Sequence, residues 1–157
     1  MNQFTLPHRR GEAPQVGETI PQLQFSDLSP DDIRNKLWSW AFNSFDDVTE
    51  QDTRISVPTS RAMWLDPKIP SAHEDAFMPP PGSREFCHMH LDGSIHAVVA
   101  NEVEDEVIRK HWGKRHPLYH SHGVKEVIVY APRDDEDLEV LKSVIRKSYE
   151  YATGRVV

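Results

Sequence analysis

The sequence predicts an α+β fold, in which a mainly antiparallel sheet of about five strands carries an N-terminal and a C-terminal helix on one face. Two long segments, one near each end of the chain, have apolar residues at helical spacing. Short runs rich in β-branched and aromatic residues lie between them, and turn-forming residues separate these runs, which favours hairpins. The predicted order of elements is α-β-β-β-β-α-β-α, and 157 residues suit one domain.

The N-terminal segment, residues 1–28, is predicted to form an extended arm. Pro7, Pro14 and Pro21 recur there among glycine and polar residues without any apolar period. The segment also lacks the apolar stretch of a signal peptide, so we expect a cytoplasmic location. A single domain is then expected over residues 29–157.

Two long helices are predicted at the ends of this domain. The first covers residues 29–45, where Ser29 can cap the helix and Pro30 fits its first position. Its apolar stripe comprises Ile33, Leu37, Trp40, Ala41 and Phe45. The last helix starts near Asp134 and ends at Gly154. Its stripe comprises Leu138, Leu141, Ile145, Tyr149 and Ala152.

The middle of the chain is predicted to supply the sheet. The segments predicted as strands are 53–57, 62–65, 84–90, 94–100 and 124–130, with a short helix over 102–111. A proline-rich loop, 67–83, separates the second and third strands. Loops of this length in compact domains are often functional, although a plain surface excursion explains the loop equally well.

Composition excludes several classes of partner. The formal net charge of −7 and the small size of the basic clusters argue against nucleic acid. No run approaches the roughly 18 apolar residues of a membrane span. The single cysteine, Cys87, excludes an internal disulfide and a cysteine-rich zinc site. We therefore expect neither nucleic acid nor membrane as a partner, and a small molecule as the ligand.

The stretch FCHMHLDGSIH places His88, His90 and His96 within nine residues of a predicted hairpin. A two-residue turn at 92–93 would put the third histidine on the face opposite the other two. A three-residue loop at 91–93, ending in a left-handed glycine, would bring all three to one face. The two registers therefore differ in whether the three histidines can form one site.

Segregation of polarity favours the three-residue loop, because strand register follows the buried face. In that register the core face carries Cys87, Met89, Ile95, Ala97 and Val99. The other face carries Phe86, His88, His90, Ser94, His96 and Val98. The two-residue register would mix polar and apolar residues on both faces. We therefore predict that the three imidazoles meet, with a solvated sheet face as the alternative interpretation.

Two further groups of residues are candidates for the site. In KHWGKRHPLYH, Gly113 permits a tight turn and Pro117 fixes the chain, so Trp112 and His116 could project from a rigid loop. A structural tryptophan packed over a helix end explains Trp112 equally simply. In YAPR, Tyr130 ends a strand and the following arginine precedes a helix.

The arginine of YAPR, Arg133, is a fixed cation suited to an anionic substrate oxygen. A salt bridge to Asp135 or Glu136 is the alternative interpretation of this residue.

These blocks together resemble the luciferase-domain family, which includes the luciferases of luminous fungi. The matching blocks are SRAMWL, REFCHMHLDGSIHAVV, HWGKRHPL, VYAPRDDEDLEVL and SYEYATG, in this order and spacing over roughly residues 53–154. His111 and Lys114 depart from the family pattern, which has glycine before the Trp-Gly pair and an acid or amide after it. For the fungal luciferases, the resemblance implies an oxygenase without an organic cofactor that acts on a hydroxylated styryl-pyrone.

The resemblance and the predicted register lead to one functional hypothesis. His90 or His96 is expected to act as general base on an enolic or aromatic small molecule, with O2 as a candidate co-substrate. His88 and His116 are expected to orient the substrate or stabilise developing negative charge. The expected substrate-binding residues are Phe86, Trp112, Tyr130 and Arg133, which suit a planar and in part anionic molecule.

Two alternatives to a cofactor-free general base follow from the same residues. The HxH pair and the third histidine, His88, His90 and His96, fit ligation of a divalent metal. Asp92 or Glu85 could add a carboxylate, although alternation places Glu85 on the core face. The second alternative is a non-catalytic module that binds a small molecule or a protein.

Overall fold

The computed structural model describes residues 3–157 and confirms the α+β class. The strands are β1 (Val48–Gln51), β2 (Arg61–Leu65), β3 (Glu85–Met89), β4 (Ile95–Ala97), β5 (Gly113–Arg115) and β6 (Val127–Val129). The helices are α1 (Asp31–Asn43), α2 (Asn101–Arg109), α3 (Tyr119–His122) and α4 (Asp135–Thr153). All pairs are antiparallel and give a sheet of order β1-β2-β3-β4-β6-β5.

The sheet has one strand more than expected, and one predicted strand is wrong. Residues 53–57 are irregular, because the Thr53 hydroxyl accepts hydrogen bonds from the backbone N–H groups of Ile55 and Ser56. The first strand, β1, lies just before this turn. The additional strand, β5, reads Gly-Lys-Arg and has no alternation of polarity to predict it.

The structure confirms the predicted ends of α4 but not the predicted N-cap of α1. Pro30 is the N-cap of α1, and the Ser29 hydroxyl donates to the Pro132 carbonyl at 2.5 Å instead of capping the helix. The capping prediction for Ser29 is therefore wrong. At α4 the Asp134 side chain accepts from the N–H of Asp137, and Gly154 ends the helix in the left-handed conformation, as predicted.

The two long helices lie on one face of the sheet, as predicted. α4 packs against β3 and β4, and α1 packs against α4 and β1. Leu37 and Ala41 of α1 and Leu141 and Ile145 of α4 are buried in the same apolar core. Because the helices cover this face, the opposite face of β3 and β4 is free to carry the histidines.

The N-terminal arm covers that opposite face, together with the loops between β1 and β2, between β2 and β3, and between β5 and β6. Residues 3–28 contain no helix among the described positions and form one isolated bridge, between Val16 and Gln24. The Gln24 carboxamide accepts from the Ala131 N–H at 2.8 Å, which fixes the arm to the sheet. The first two residues of the predicted arm, 1–2, lie outside the described residues. Within residues 3–157 there is no helix of the length and apolarity that a membrane span requires.

Candidate functional site

The β3–β4 hairpin has the three-residue loop that the sequence predicts. His88 pairs with His96, Met89 pairs with Ile95, and the His90 N–H donates to the Ser94 carbonyl at 2.8 Å. Gly93 occupies the left-handed region at φ +100°. The imidazoles of both strands therefore face the same side of the sheet, and the convergence prediction is confirmed.

A β-bulge in β3 changes which side chains accompany the histidines. Met63 pairs with Cys87, but its neighbour Trp64 pairs with Glu85, so Phe86 is an extra residue on β3. The ring of Phe86 is fully buried in the core, with its centroid 6.4 Å from that of Tyr149. The prediction that Phe86 shares the histidine face is wrong.

The same bulge moves Glu85 to the histidine face. Its Oε2 lies 2.7 Å from Nδ1 of His88, and its side chain is fully buried. Simple alternation placed Glu85 on the core face, and this expectation is also wrong. The bulge thus exchanges an aromatic ring for a carboxylate beside the three imidazoles.

Three ring nitrogens converge at the centre of the site. Nε2 of His88 lies 3.0 Å from Nδ1 of His96, and Nε2 of His90 lies 3.2 Å from the same atom. The ring centroids are 4.8–5.1 Å apart and the rings are steeply inclined to one another. All three residues are buried, with at most 3% of their surface exposed. We call this group the tri-histidine site.

The other nitrogen of His88 and that of His90 each contact an acceptor. Nδ1 of His88 faces the Glu85 carboxylate, as described above. Nδ1 of His90 lies 2.8 Å from the Ser94 hydroxyl, which donates its own hydrogen to Asp92 Oδ1 at 2.5 Å. The Ser94 oxygen therefore accepts from His90, and Asp92 holds it in that role.

His96 is held in the same way by the N-terminal arm. Its Nε2 donates to Gln22 Oε1 at 2.8 Å, and Gln22 is 97% buried, since only 3% of its surface is exposed. Each imidazole of the tri-histidine site thus donates an N–H outward, which assigns its tautomer. The three inward nitrogens then carry lone pairs that point at one another.

Burial keeps the rings of His90 and His96 from taking up protons. Loss of solvation lowers the pKa of His90 well below its ordinary value, and repulsion by His88 adds to the effect. Burial likewise lowers the pKa of His96 well below its ordinary value, with added repulsion by its neighbouring histidines. Neutral imidazoles are the form that binds metal ions.

A cavity of about 270 Å³ adjoins the tri-histidine site. His88 and His96 line it, whereas His90 lies behind them and is not among the described residues of its wall. The apolar wall residues are Ile20, Pro21, Ile55, Pro79, Leu118 and Val124. The polar ones besides the two imidazoles are Gln22, Ser56, His116 and Glu126. This volume is slightly below the range of roughly 300–1,000 Å³ typical of pockets for drug-sized ligands.

His116 joins the cavity as the sequence predicts. Its ring centroid lies 5.5 Å from that of His96. Nδ1 of His116 accepts from the Leu118 N–H at 3.0 Å, so the proton of the neutral ring is on Nε2. Burial, followed by repulsion from His88, lowers the pKa of His116. The ring is therefore a neutral N–H donor.

Glu126 is a cavity residue that sequence reasoning missed. Only 2% of its surface is exposed, and its Oε2 has no hydrogen-bond partner among residues 3–157. Burial, with a smaller contribution from Glu85, raises the pKa of this carboxyl to about 8. Glu126 lies just before β6, in a segment whose sequence resembles any buried strand. Gln22 was missed for a related reason, since nothing in a proline-rich arm marks one glutamine.

Trp112 and Tyr130, predicted to bind substrate, are not among the described residues that line the cavity. Trp112 is buried in the core, and its indole N–H donates to the Pro7 carbonyl at 2.7 Å. The Tyr130 ring is buried under the Arg9 guanidinium, whose carbon lies 5.2 Å from the ring centroid. Both aromatic residues therefore have structural partners away from the described wall of the cavity, and their role in substrate binding stays a prediction.

Arg133 is likewise outside the described wall of the cavity. Its Nε lies 2.7 Å from Asp137 Oδ2, and its Nη1 donates to the Arg10 carbonyl at 2.8 Å. The salt-bridge interpretation is thus the correct one, although the partner is the next residue of α4 after Asp135 and Glu136. Held in this way, Arg133 joins the arm to the start of α4.

The fold and the site define a class: an α+β domain with a buried tri-histidine site that opens into a small, mostly apolar cavity. Comparison with known proteins then identifies its relatives. Residues 83–148 match the family described as Luciferase domain, and this segment contains all three histidines. This match, over less than half of the chain, confirms the predicted resemblance to the luciferase-domain family.

The curated relatives are fungal proteins named luciferases. The luciferase of Neonothopanus nambi is 28% identical over 95% of this chain and 61% of its own length. The luciferases of Armillaria gallica and Armillaria mellea are each 38% identical over 45% of this chain and 29% of their own length. The chain thus spans less than two thirds of the length of these relatives. No solved structure matches it.

Proposed function

We propose that this protein is a metal-dependent enzyme in which His88, His90 and His96 hold one divalent transition-metal ion. The observation that carries the proposal is the convergence of three lone pairs at the tri-histidine site. Nitrogen lone pairs 3.0–3.2 Å apart repel one another unless a cation or a proton lies between them. When all three rings are neutral, their outward N–H groups leave no ring proton to fill that role.

The spacing of the nitrogens suits metal ligation. Zn–N bonds are about 2.0–2.1 Å long, so two nitrogens 3.0–3.2 Å apart would subtend roughly 90–105° at a shared ion. This angle fits one face of an octahedron or a compressed tetrahedron. Imidazole ligands suit zinc, copper, iron and nickel, so the donor set narrows the metal to this group.

The second contacts of the histidines support the same proposal. Metal-binding histidines in proteins almost always donate their other N–H to a carboxylate, a carbonyl or water. Here the acceptors are the carboxylate of Glu85, the hydroxyl of Ser94 backed by Asp92, and the carboxamide of Gln22. Three independent elements, β3, the hairpin loop and the N-terminal arm, supply them.

The cavity beside the site supports a small and largely apolar substrate. We propose an enolic or aromatic molecule whose oxygen atom faces His88 and His96, with O2 as co-substrate. A bound metal would supply Lewis-acid polarisation of that oxygen, which favours its loss of a proton. The Nε2–H of His116 would donate to the developing negative charge. The relatives named luciferases support this class of chemistry, and the metal takes the role first expected of Arg133.

Metal analysis of the untagged protein tests the proposal. We expect about one divalent transition-metal ion per chain, lost on dialysis against a chelator and absent from His88→Ala and His96→Ala. His120→Ala, at an exposed position of α3, is the matched control and should retain the ion. A metal content that is zero in the native protein, or equal in all four proteins, would refute the metal site.

A cofactor-free general base is the second candidate function. The neutral state of His90 and His96 leaves each ring a lone pair that can accept a proton, although the lowered pKa makes each a weaker base than an ordinary imidazole. Removal of metal separates the two candidates once a substrate is known. A metal enzyme loses turnover with the chelator and regains it with the ion. An enzyme with a cofactor-free base keeps its activity, and its rate changes with pH around the pKa of the catalytic histidine.

A further inference from the structure

The most unusual polar group in the cavity is the carboxyl of Glu126. It is almost fully buried, and its Oε2 has no hydrogen-bond partner within residues 3–157. A buried polar atom without a partner is costly, and native structures contain few of them. Because Glu126 also lines the cavity, a bound ligand is the partner that its position favours.

Glu126 is held in place by its backbone. Its N–H donates to the Val124 carbonyl at 2.8 Å, and its carbonyl accepts from the His116 N–H at 2.9 Å. A carboxyl oxygen of Glu126 and ring nitrogens of His96 and His116 lie within 4.8 Å of one another. The carboxyl is therefore close both to His96 of the tri-histidine site and to the ring of His116.

The charge of the cavity wall restricts what can bind there. No lysine or arginine is present among the described residues that line it. A ligand carboxylate would therefore lose its hydration in this cavity without a compensating side-chain cation. A hydroxyl can donate to a carboxylate and can also accept from a carboxylic acid, so it suits Glu126 in either form.

We propose that Glu126 is a ligand-binding residue that selects uncharged, hydroxyl-bearing molecules over their anionic and purely apolar analogues. The inference rests on the proposed function only in taking this cavity as the substrate site, and it does not require the metal. It assigns selectivity to a side chain outside the tri-histidine site. It also replaces the expectation, based on Arg133, that the ligand is anionic.

Binding of three naphthalene derivatives tests this proposal. 2-Naphthol, naphthalene and 2-naphthoate share a planar ring system and differ in one polar group, and their fluorescence reports binding. The titrations use the full chain, once with a chelator and once saturated with zinc. The variants are Glu126→Leu, which removes the polar group, and Glu126→Gln, which keeps an acceptor and a donor. Ile55→Ala is the matched control, because it changes the apolar wall of the same cavity.

In the chelator-treated wild-type protein we expect 2-naphthol to bind about tenfold more tightly than naphthalene, and more tightly than 2-naphthoate. Glu126→Leu should reduce the preference for 2-naphthol over naphthalene to about one, while Glu126→Gln retains most of it. Ile55→Ala should weaken both ligands by a similar factor and leave the preference unchanged. Zinc content should be the same in Glu126→Leu as in the wild type.

Three results would overturn the proposal: an unchanged preference in Glu126→Leu, tighter binding of 2-naphthoate without metal, or no binding of 2-naphthol. Loss of zinc in Glu126→Leu would also overturn it, because Glu126 would then be a metal ligand. The metal proposal fails separately, if zinc does not bind to the wild-type protein at all. In that case the chelator-treated titrations still decide the role of Glu126.

Discussion

Replacement of Glu126 by glutamine should stabilise the metal-free protein in a pH-dependent manner. Burial raises the pKa of this carboxyl from an ordinary value of 4.5 to about 8. At pH 7 the unfolded chain therefore carries a charged carboxylate, whereas the folded chain holds the carboxyl protonated. The folded state binds the extra proton, so the free energy of unfolding falls as the pH rises from 4.5 towards 8.

The size of this effect follows from the pKa shift. The 2.5 pH units between 4.5 and 7, at 1.36 kcal/mol each, correspond to about 3 kcal/mol at pH 7, and to under about 1 kcal/mol at pH 5. A glutamine has no such cost at either pH. We therefore expect Glu126→Gln to gain about 2 kcal/mol relative to the wild type when the pH is raised from 5 to 7.

Urea denaturation in the presence of a chelator measures this difference. The wild type, Glu126→Gln and the exposed control Glu136→Gln are compared at both pH values. Titration of groups far from Glu126 is common to all three proteins and cancels in the comparison. Glu136→Gln should change stability by less than about 0.5 kcal/mol. A difference between Glu126→Gln and wild type that does not grow with pH would refute the argument that this carboxyl is buried without a partner.

Two further predictions concern the hairpin that builds the site. Gly93→Ala should destabilise the fold by more than about 2 kcal/mol, because φ is +100° and the new Cβ would overlap the Ser29 hydroxyl. Gly123→Ala, at φ +65° with no atom within 4 Å, should lose only about 1 kcal/mol. Thermal unfolding compares the two, and equal losses would contradict the predicted close contact. Ser94→Ala should lower metal affinity about 10–100-fold, because Nδ1 of His90 loses its acceptor, and unchanged affinity in a chelator competition would argue against that role.

The convergence of the histidines could be predicted from the sequence because the hairpin has a strict polarity pattern. Only one loop length gives a core face composed of Cys87, Met89, Ile95, Ala97 and Val99, and burial of that face sets the register. The long helices were predictable for the same reason, since their apolar stripes are continuous. Local patterns of polarity therefore determined both the layers and the central site.

The accompanying side chains could not be predicted in this way. Strict alternation would put the carboxylate of Glu85 in the core. The bulge adds Phe86 as an extra residue on β3, and this shift turns Glu85 to the histidine face. The only sign of the bulge in the sequence is the charged residue, Glu85, on a predicted core face. Gln22 reaches His96 from 74 residues away, a contact that no local pattern encodes.

Aromatic and basic residues near a predicted site were the least reliable candidates. Trp112 and Arg133 have side chains that suit ligand binding, but the same chemistry also suits structural contacts. The indole N–H of Trp112 donates to a backbone carbonyl of the arm, and the guanidinium of Arg133 forms a salt bridge with Asp137. Their sequence context is compatible with either use, and only the three-dimensional position of the cavity distinguishes the two.

In the proposed site, three imidazoles share one metal ion. Crystals of the untagged protein, grown without chelator, test it through anomalous diffraction at the absorption edge of the metal found by elemental analysis. We expect one peak within about 2.0–2.2 Å of Nε2 of His88, Nε2 of His90 and Nδ1 of His96. Ordered rings at these positions with no anomalous peak between them would show that the three histidines do not bind a metal ion.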